Sequence, residues 1–158
     1  MAKEIERKFL LRSEDWRALA PGKAYVQGYL AGSEDCSVRV RIVEDAATLT
    51  IKSATIGAVC NEFEYEIPLA DARQILSTLA RKPLIEKTRY VIEYKGFCWE
   101  VDEFHGRNQG LTVAEIELER EAQAFEKPAW IGVEVTGDPR YYNANLARTP
   151  YDEWQHLA

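Results

Sequence analysis

Charged residues recur in this chain as pairs two positions apart, and most pairs carry one sign. They are Glu4-x-Glu6, extended by Lys8, then Arg39-x-Arg41, Glu62-x-Glu64, Lys87-x-Arg89 and Glu115-x-Glu117, with Lys52 and Asp102 standing between them. Clustered Arg and Lys suit a polyanion, because the guanidinium offers a planar fork to phosphate oxygens and the ammonium a point charge. Clustered carboxylates suit a hard divalent cation such as Mg²⁺ or Mn²⁺. Together the two sets have the chemistry of a metal–polyphosphate site. A face shaped only by solubility mixes its signs and gains little from ordered pairs.

A spacing of two is the period of a strand, so the elements that carry these charges are strands. Alternation places strands near 3–11, 24–31, 36–44, 47–53, 60–67, 84–95, 97–104 and 111–120, mostly as consecutive antiparallel pairs. On all of them but the second the charges oppose an apolar face: Ile5, Phe9 and Leu11 behind the first set, Val38, Val40 and Ile42 behind Arg39 and Arg41. Two architectures accept this pattern. One is a single sheet with a solvated face. The other turns the charged faces inward, where eight strands close into a barrel wide enough for one small ligand. A charged interior is costly unless its charges are paired, wet or metal-bound, so that barrel implies a charged ligand and argues against a carrier of apolar molecules. Its apolar faces then need outside cover.

Helices are few. Ser13-Glu14-Asp15-Trp16 reads as the start of one over 13–20, with Trp16, Leu19 and Ala20 on its apolar face. Ala72, Ile75, Leu76, Leu79 and Ala80 predict a second over 70–81, and Tyr141 to Leu146 a third. Trp130 to Thr136 reads as a ninth short strand. Turns fall at Pro21-Gly22, Gly32-Ser33, Gly57, Gly96, Gly106 and Gly110. No linker, repeat or low-complexity stretch divides the chain, so residues 1–158 are expected to form a single domain.

The resemblance that these residues carry is to the CYTH superfamily, the triphosphate tunnel metalloenzymes. Glu4-Ile5-Glu6-Arg7-Lys8 is similar to that family's N-terminal E-x-E-x-K signature. Ser37-Val38-Arg39-Val40-Arg41, Leu49-Thr50-Ile51-Lys52, Glu62-Phe63-Glu64-Tyr65-Glu66, Lys87-Thr88-Arg89-Tyr90, Val101-Asp102 and Ala114-Glu115-Ile116-Glu117 follow in the family's order. Glu134 to Asp138 and Tyr142 to Leu146 resemble its C-terminal segments. The resemblance implies a mainly β, α+β fold: an eight-stranded antiparallel closed tunnel with a few flanking helices. It implies Glu4, Glu6, Glu115 and Glu117 as ligands of Mg²⁺ or Mn²⁺, and Lys8, Arg39, Arg41, Lys52, Lys87 and Arg89 as the phosphate cradle. Glu62, Glu64 and Asp102 would position basic side chains, water or a second metal. Lys8 doubles as a candidate proton acceptor, and metal-activated water is the favoured nucleophile. The compact chain resembles the small bacterial members that cleave inorganic triphosphate. Adenylyl cyclase, a hydrolase of thiamine or nucleoside triphosphates, and a non-catalytic polyphosphate-binding module are the alternatives.

Composition bounds the rest. The 158 residues carry 20 basic and 26 acidic side chains, a net charge of −6, which disfavours nucleic acid and anionic membranes as partners. The candidate site accounts for six of those bases and seven of those acids, so most of the excess lies elsewhere. No apolar run approaches the ~18 residues of a membrane span, and Met1 to Leu10 holds no signal core, which points to the cytoplasm. Cys36, Cys60 and Cys98 form no C-x-x-C pair and are expected as reduced, buried thiols. No P-loop, H-E-x-x-H or G-x-S-x-G motif is present. His105 reads as a turn residue, and Tyr29, Trp99, Trp130 and Trp154 as packing residues. Outward apolar faces with few helices to cover them suggest a homodimer.

Overall fold

A computed structural model describes residues 3–32, 36–54 and 56–157. The strands are β1 (Lys3–Leu11), β2 (Gly22–Gly32), β3 (Cys36–Val43), β4 (Ala46–Ser53), β5 (Val59–Ile67), β6 (Ile85–Tyr94), β7 (Phe97–Phe104), β8 (Thr112–Glu117) and β9 (Ile131–Glu134). Two α-helices, α1 (Leu69–Thr78) and α2 (Asn143–Arg148), follow β5 and β9. All strand pairs are antiparallel, in the order β5-β4-β3-β2-β6-β7-β8-β1-β9. β1 also pairs with β5 through Lys3–Asn61, Glu4–Cys60 and Ile5–Val59, which closes eight strands into a barrel. Farther along the same edge of β1, β9 replaces β5, with Phe9 opposite Glu134 and Leu11 opposite Ile131.

Period-two alternation decides which residues face in. On the outside of β1, β6, β7 and β8, Ile5, Phe9, Ile92, Trp99, Val101, Ala114 and Ile116 form one apolar cluster, roofed by Trp16 and Trp130. On the outside of β3 and β4, Val40 and Ala47 pack against Ala72, Leu76 and Ala80 of α1 and the turn after it. Gly28 on β2 lets that turn approach: a Cβ there would lie 2.8 Å from the Ala80 Cβ. The β6–β7 hairpin turns at Lys95 and Gly96, both with positive φ, the two-residue turn whose twist matches its strands.

A third apolar cluster closes the barrel. Tyr29, Ile85, Phe104, Leu111 and Val113 meet Tyr141, Leu146, Ala147 and Trp154 of the C-terminal segment. Trp154 stands edge-on to Tyr141 and Tyr151, at centroid distances of 5.4 and 4.9 Å.

Several sequence expectations need correction. Residues 13–20 hold only a 3₁₀ turn, Asp15–Ala18, because Pro21 stops the chain before a further turn; Trp16 is buried but Leu19 is exposed. Leu79 is also exposed. The Ala80 N–H bonds back five residues to the Ile75 carbonyl, which brings Ala80 onto the apolar face in its place. Cys60 is buried, but Cys36 and Cys98 are exposed. The eighth strand ends at Glu117, so Glu119 lies beyond it. The turn expected at Gly32-Ser33 runs into residues outside those described.

Candidate active site

Inside the barrel lies a cavity of about 480 Å³. Its wall brings together Glu4, Glu6, Lys8, Arg39, Arg41, Lys52, Glu62, Lys87, Arg89 and Glu115. Three of the sequence-derived candidates stand apart from that wall. Asp102 is buried behind it at 2 % exposure. Glu64 is exposed and accepts only a long 3.5 Å bond from Thr50 Oγ1. Glu117 is exposed at the end of β8.

Strand register places like charges against each other. Glu6 faces Glu117 across β1 and β8, and Glu100 faces Glu115 across β7 and β8. Such pairs are destabilising unless a cation intervenes. Basic side chains supply part of the compensation: Lys8 Nζ lies 3.7 Å from Glu115, Lys52 Nζ 3.6 Å from Glu6, and Arg39 Nη2 3.6 Å from Glu62. Arg89 Nη1 donates to Glu100 at 3.1 Å.

Burial, the Glu115 charge and a hydrogen bond to Glu115 hold the Glu6 carboxyl well above the usual carboxylate range. Burial also works upward on Glu115, but Lys8 and that bond from Glu6 outweigh it and bring Glu115 down to about 2. Burial draws Arg41 down to about 10, helped by Arg39 and Arg89. On Lys52, burial pulls downward but Glu6 and Glu4 prevail and raise it.

Two buried polar atoms of the wall, Glu4 Oε2 and Arg39 Nε, have no hydrogen-bond partner among the described residues. One is an acceptor and the other a donor, and neither would stay unmatched without cost unless a ligand met it. No three metal-ligating side chains converge as a ready-made cage among the described residues. The carboxylate oxygens of Glu4, Glu6 and Glu115 still fit a hard cation. Mg²⁺ takes one or two carboxylates together with substrate phosphates and water, not a full protein cage.

Asp102 holds the cationic wall from behind, accepting from Lys87 Nζ at 2.8 Å and from Arg89 through both oxygens at 2.7 and 2.8 Å. Tyr25 lies within 5.0 Å of the Arg41 guanidinium and 4.9 Å of that of Arg89. The closing segment reaches the site too: Lys8 Nζ donates to the Tyr141 carbonyl at 3.2 Å and lies 5.6 Å from the Tyr142 ring. The sequence reading gives no site role to Tyr25, Gln27, Glu100 or Asn143, although Glu100 stands with Asp102 on the charged face of its strand. Strand parity could have found the first three, each sharing a face with a selected charge or lying opposite one. Asn143 sits in a segment noted for its resemblance but given no role.

Comparison with known proteins gives four further findings. The CYTH domain model matches residues 2–151. An inorganic triphosphatase of Acetivibrio thermocellus is 51 % identical over 155 residues, covering 98 % of this chain and 99 % of that one. One of Nitrosomonas europaea is 35 % identical over 154 residues, covering 91 % and 96 %. Among solved structures, the crystal structure of an inorganic triphosphatase superposes with a TM-score of 0.67 at 32 % identity, covering 90 % and 96 %.

Proposed function

The chain belongs to the CYTH domain family, and from that premise we propose that it hydrolyses inorganic triphosphate inside the barrel, using Mg²⁺ or Mn²⁺. The observation that carries this reading is the meeting of six basic side chains with the carboxylates of Glu4, Glu6, Glu62 and Glu115 around one cavity.

Lys8, Arg39, Arg41, Lys52, Lys87 and Arg89 cradle the phosphate oxygens and oppose the charge that builds on the transferred phosphoryl group. Arg39 Nε, unmatched by protein, donates to one of those oxygens. Glu4, Glu6 and Glu115 would hold the divalent cation, which would supply charge neutralisation and a more acidic water. Water oxygen bonds to a terminal phosphorus as the bridging P–O bond breaks, giving orthophosphate and diphosphate. Lys8 serves as a phosphate ligand, since its Nζ is occupied by Glu115 and the Tyr141 carbonyl. Asp102 acts behind the wall by orienting Lys87 and Arg89. Glu62 orients Arg39, and Glu64 holds Thr50.

Reduced thiols at Cys36, Cys60 and Cys98 suit the cytoplasm, and among the described residues no helix is long and apolar enough to cross a membrane. Ile51, Phe63 and Tyr65 present an exposed apolar face on β4 and β5, which supports a homodimer; light scattering on the purified chain tests it.

The decisive experiment measures phosphate release from inorganic triphosphate, ATP and thiamine triphosphate with Mg²⁺, Mn²⁺ or neither. Fastest turnover of inorganic triphosphate, lost without metal, is expected. Cyclic AMP from ATP, faster hydrolysis of thiamine triphosphate, or metal-independent binding without turnover would each overturn the reading.

A further inference from the structure

Gln27 on β2 and Asn143 at the start of α2 link two cations of the cavity through one chain of amides. Arg41 Nε donates to Gln27 Oε1 at 2.7 Å. Gln27 Nε2 donates to Asn143 Oδ1 at 3.2 Å, and Lys87 Nζ donates to the same oxygen at 3.2 Å. The direction of every bond is fixed by the two ends, because a guanidinium and an ammonium can only donate. Gln27 must therefore turn its oxygen to Arg41 and its NH₂ to Asn143. Asn143 must offer its oxygen to both Gln27 and Lys87. Flipping either amide would set donor against donor or acceptor against acceptor.

The barrel supplies only part of this chain. Gln27 and Arg41 stand opposite each other in register on β2 and β3, so strand pairing alone brings them together. Asn143 comes 116 residues after Gln27, on the segment that closes the barrel. Tyr141 and Leu146 on either side of it are locked in the closing apolar cluster, which leaves Asn143 little freedom. Gln27 is fully buried and lies off the cavity wall, so its amide has no water as an alternative partner. Asp102 and Asn143 engage Lys87, and Gln27 engages the Nε of Arg41. What remains for a ligand is the third ammonium N–H and the outer fork of the guanidinium.

We propose that Asn143 is a positioning residue for phosphate binding, aligning Lys87 directly and Arg41 through Gln27, so that the closing segment sets the geometry of the cradle. This rests on the phosphate-cradle assignment above. A side chain that held only the fold would act on stability, whereas this one acts through two named cations.

A double-mutant cycle on the intact chain tests it, with Asn143→Ala, Lys87→Met and the two combined, reading KM and kcat for inorganic triphosphate and the thermal midpoint. Loss of a hydrogen bond to a charged group predicts a KM raised about tenfold in Asn143→Ala, with kcat changed less, and an added effect of only about threefold once Lys87 is already Met, since the arm through Gln27 to Arg41 alone then remains. Gln27→Leu, similar in volume, gives an independent route: its KM rise should vanish in the Arg41→Ala background, and this holds even if Asn143→Ala folds poorly. A KM within about twofold of the parent in both variants, or effects that simply add to those of Lys87→Met and Arg41→Ala, overturns the proposal. A Lys87→Met variant with unchanged kcat/KM is a different failure, since it removes the cradle assignment itself and the positioning role with it.

Discussion

Arg89 and Asp102 face each other in register across β6 and β7 and are joined by two hydrogen bonds, Nε to Oδ1 at 2.7 Å and Nη2 to Oδ2 at 2.8 Å. Lys87 adds a third bond to the same carboxylate. One buried anion thus fixes two of the six cradle cations, and its oxygens are spent on them. That geometry gives Asp102 an orienting role, without direct contact with the cavity.

Removing the Asp102 charge should therefore damage stability. Asp102→Asn leaves Lys87 and Arg89 buried without their anion, and breaking such a pair costs about 3–5 kcal/mol. Burial works upward on this carboxyl, but Lys87 and Arg89 prevail and hold it below the usual carboxylate range. Its folded pKa lies below the unfolded one, so its stabilisation is complete above about pH 4 and is lost as the pH falls. Urea unfolding of parent and variant at pH 7 and pH 2 checks both points. A loss under ~1 kcal/mol at pH 7 would contradict the geometry.

Lys87 predicts a pH profile. Burial, with Arg89 and Arg41 nearby and against the pull of Asp102, lowers its ammonium to about 7. If Lys87 holds phosphate as proposed, its charged form is the binding one, so kcat/KM should be flat on the acid side of this group and fall as the pH rises through about 7. Lys87→Arg, charged throughout, should lose that alkaline limb. The effect on folding has the opposite sense. The unfolded lysine keeps its proton up to 10.5 and the folded one only to about 7, so on this group's account stability rises between them.

The alternation of charges made the inward face of the barrel legible from sequence, because a period of two leaves no freedom about which side a residue takes. Arg39, Arg41, Lys87 and Arg89 line the cavity for that reason. Parity fixes the side, though, and not the depth. Glu115 and Glu117 share a face, yet one is buried in the wall and the other exposed where β8 ends. Asp102 also has the correct parity but lies behind its cations. Nothing local in Tyr142-Asn143-Ala144 shows that this segment returns to the barrel, since its partners, Gln27 and Lys87, are 116 and 56 residues away. Leu79 was misplaced by a helical period that its own last turn departs from.

This difference in depth separates two carboxylates that the sequence treats alike. Glu115→Gln removes a buried ligand candidate that lies 3.7 Å from Lys8. It should raise the Mg²⁺ concentration for half-maximal turnover by about 10–100-fold, the range seen when a metal's supporting ligands are lost. Glu117→Gln should change it by under about threefold. Titration of Mg²⁺ against phosphate release compares them. Equal losses in the two variants would put Glu117 among the ligands.

Outside the barrel, Gly28 offers a test of packing that leaves the site intact. Its Cα faces the end of α1, away from the cavity. A Cβ at this position would meet the Ala80 Cβ and a Leu84 methyl at 2.8 Å and a Leu76 methyl at 2.9 Å. The leucine methyls can rotate away, but the Ala80 Cβ is tied to backbone and cannot move without shifting the turn. Overpacking of this kind costs about 1–3 kcal/mol. Gly28→Ala should lower the thermal midpoint accordingly, while KM for inorganic triphosphate stays near the parent value below the transition. A shift in KM without a change in midpoint would mean that the Gln27 and Tyr29 side chains beside it had moved, and that the cavity depends on α1 more than its apolar contacts indicate.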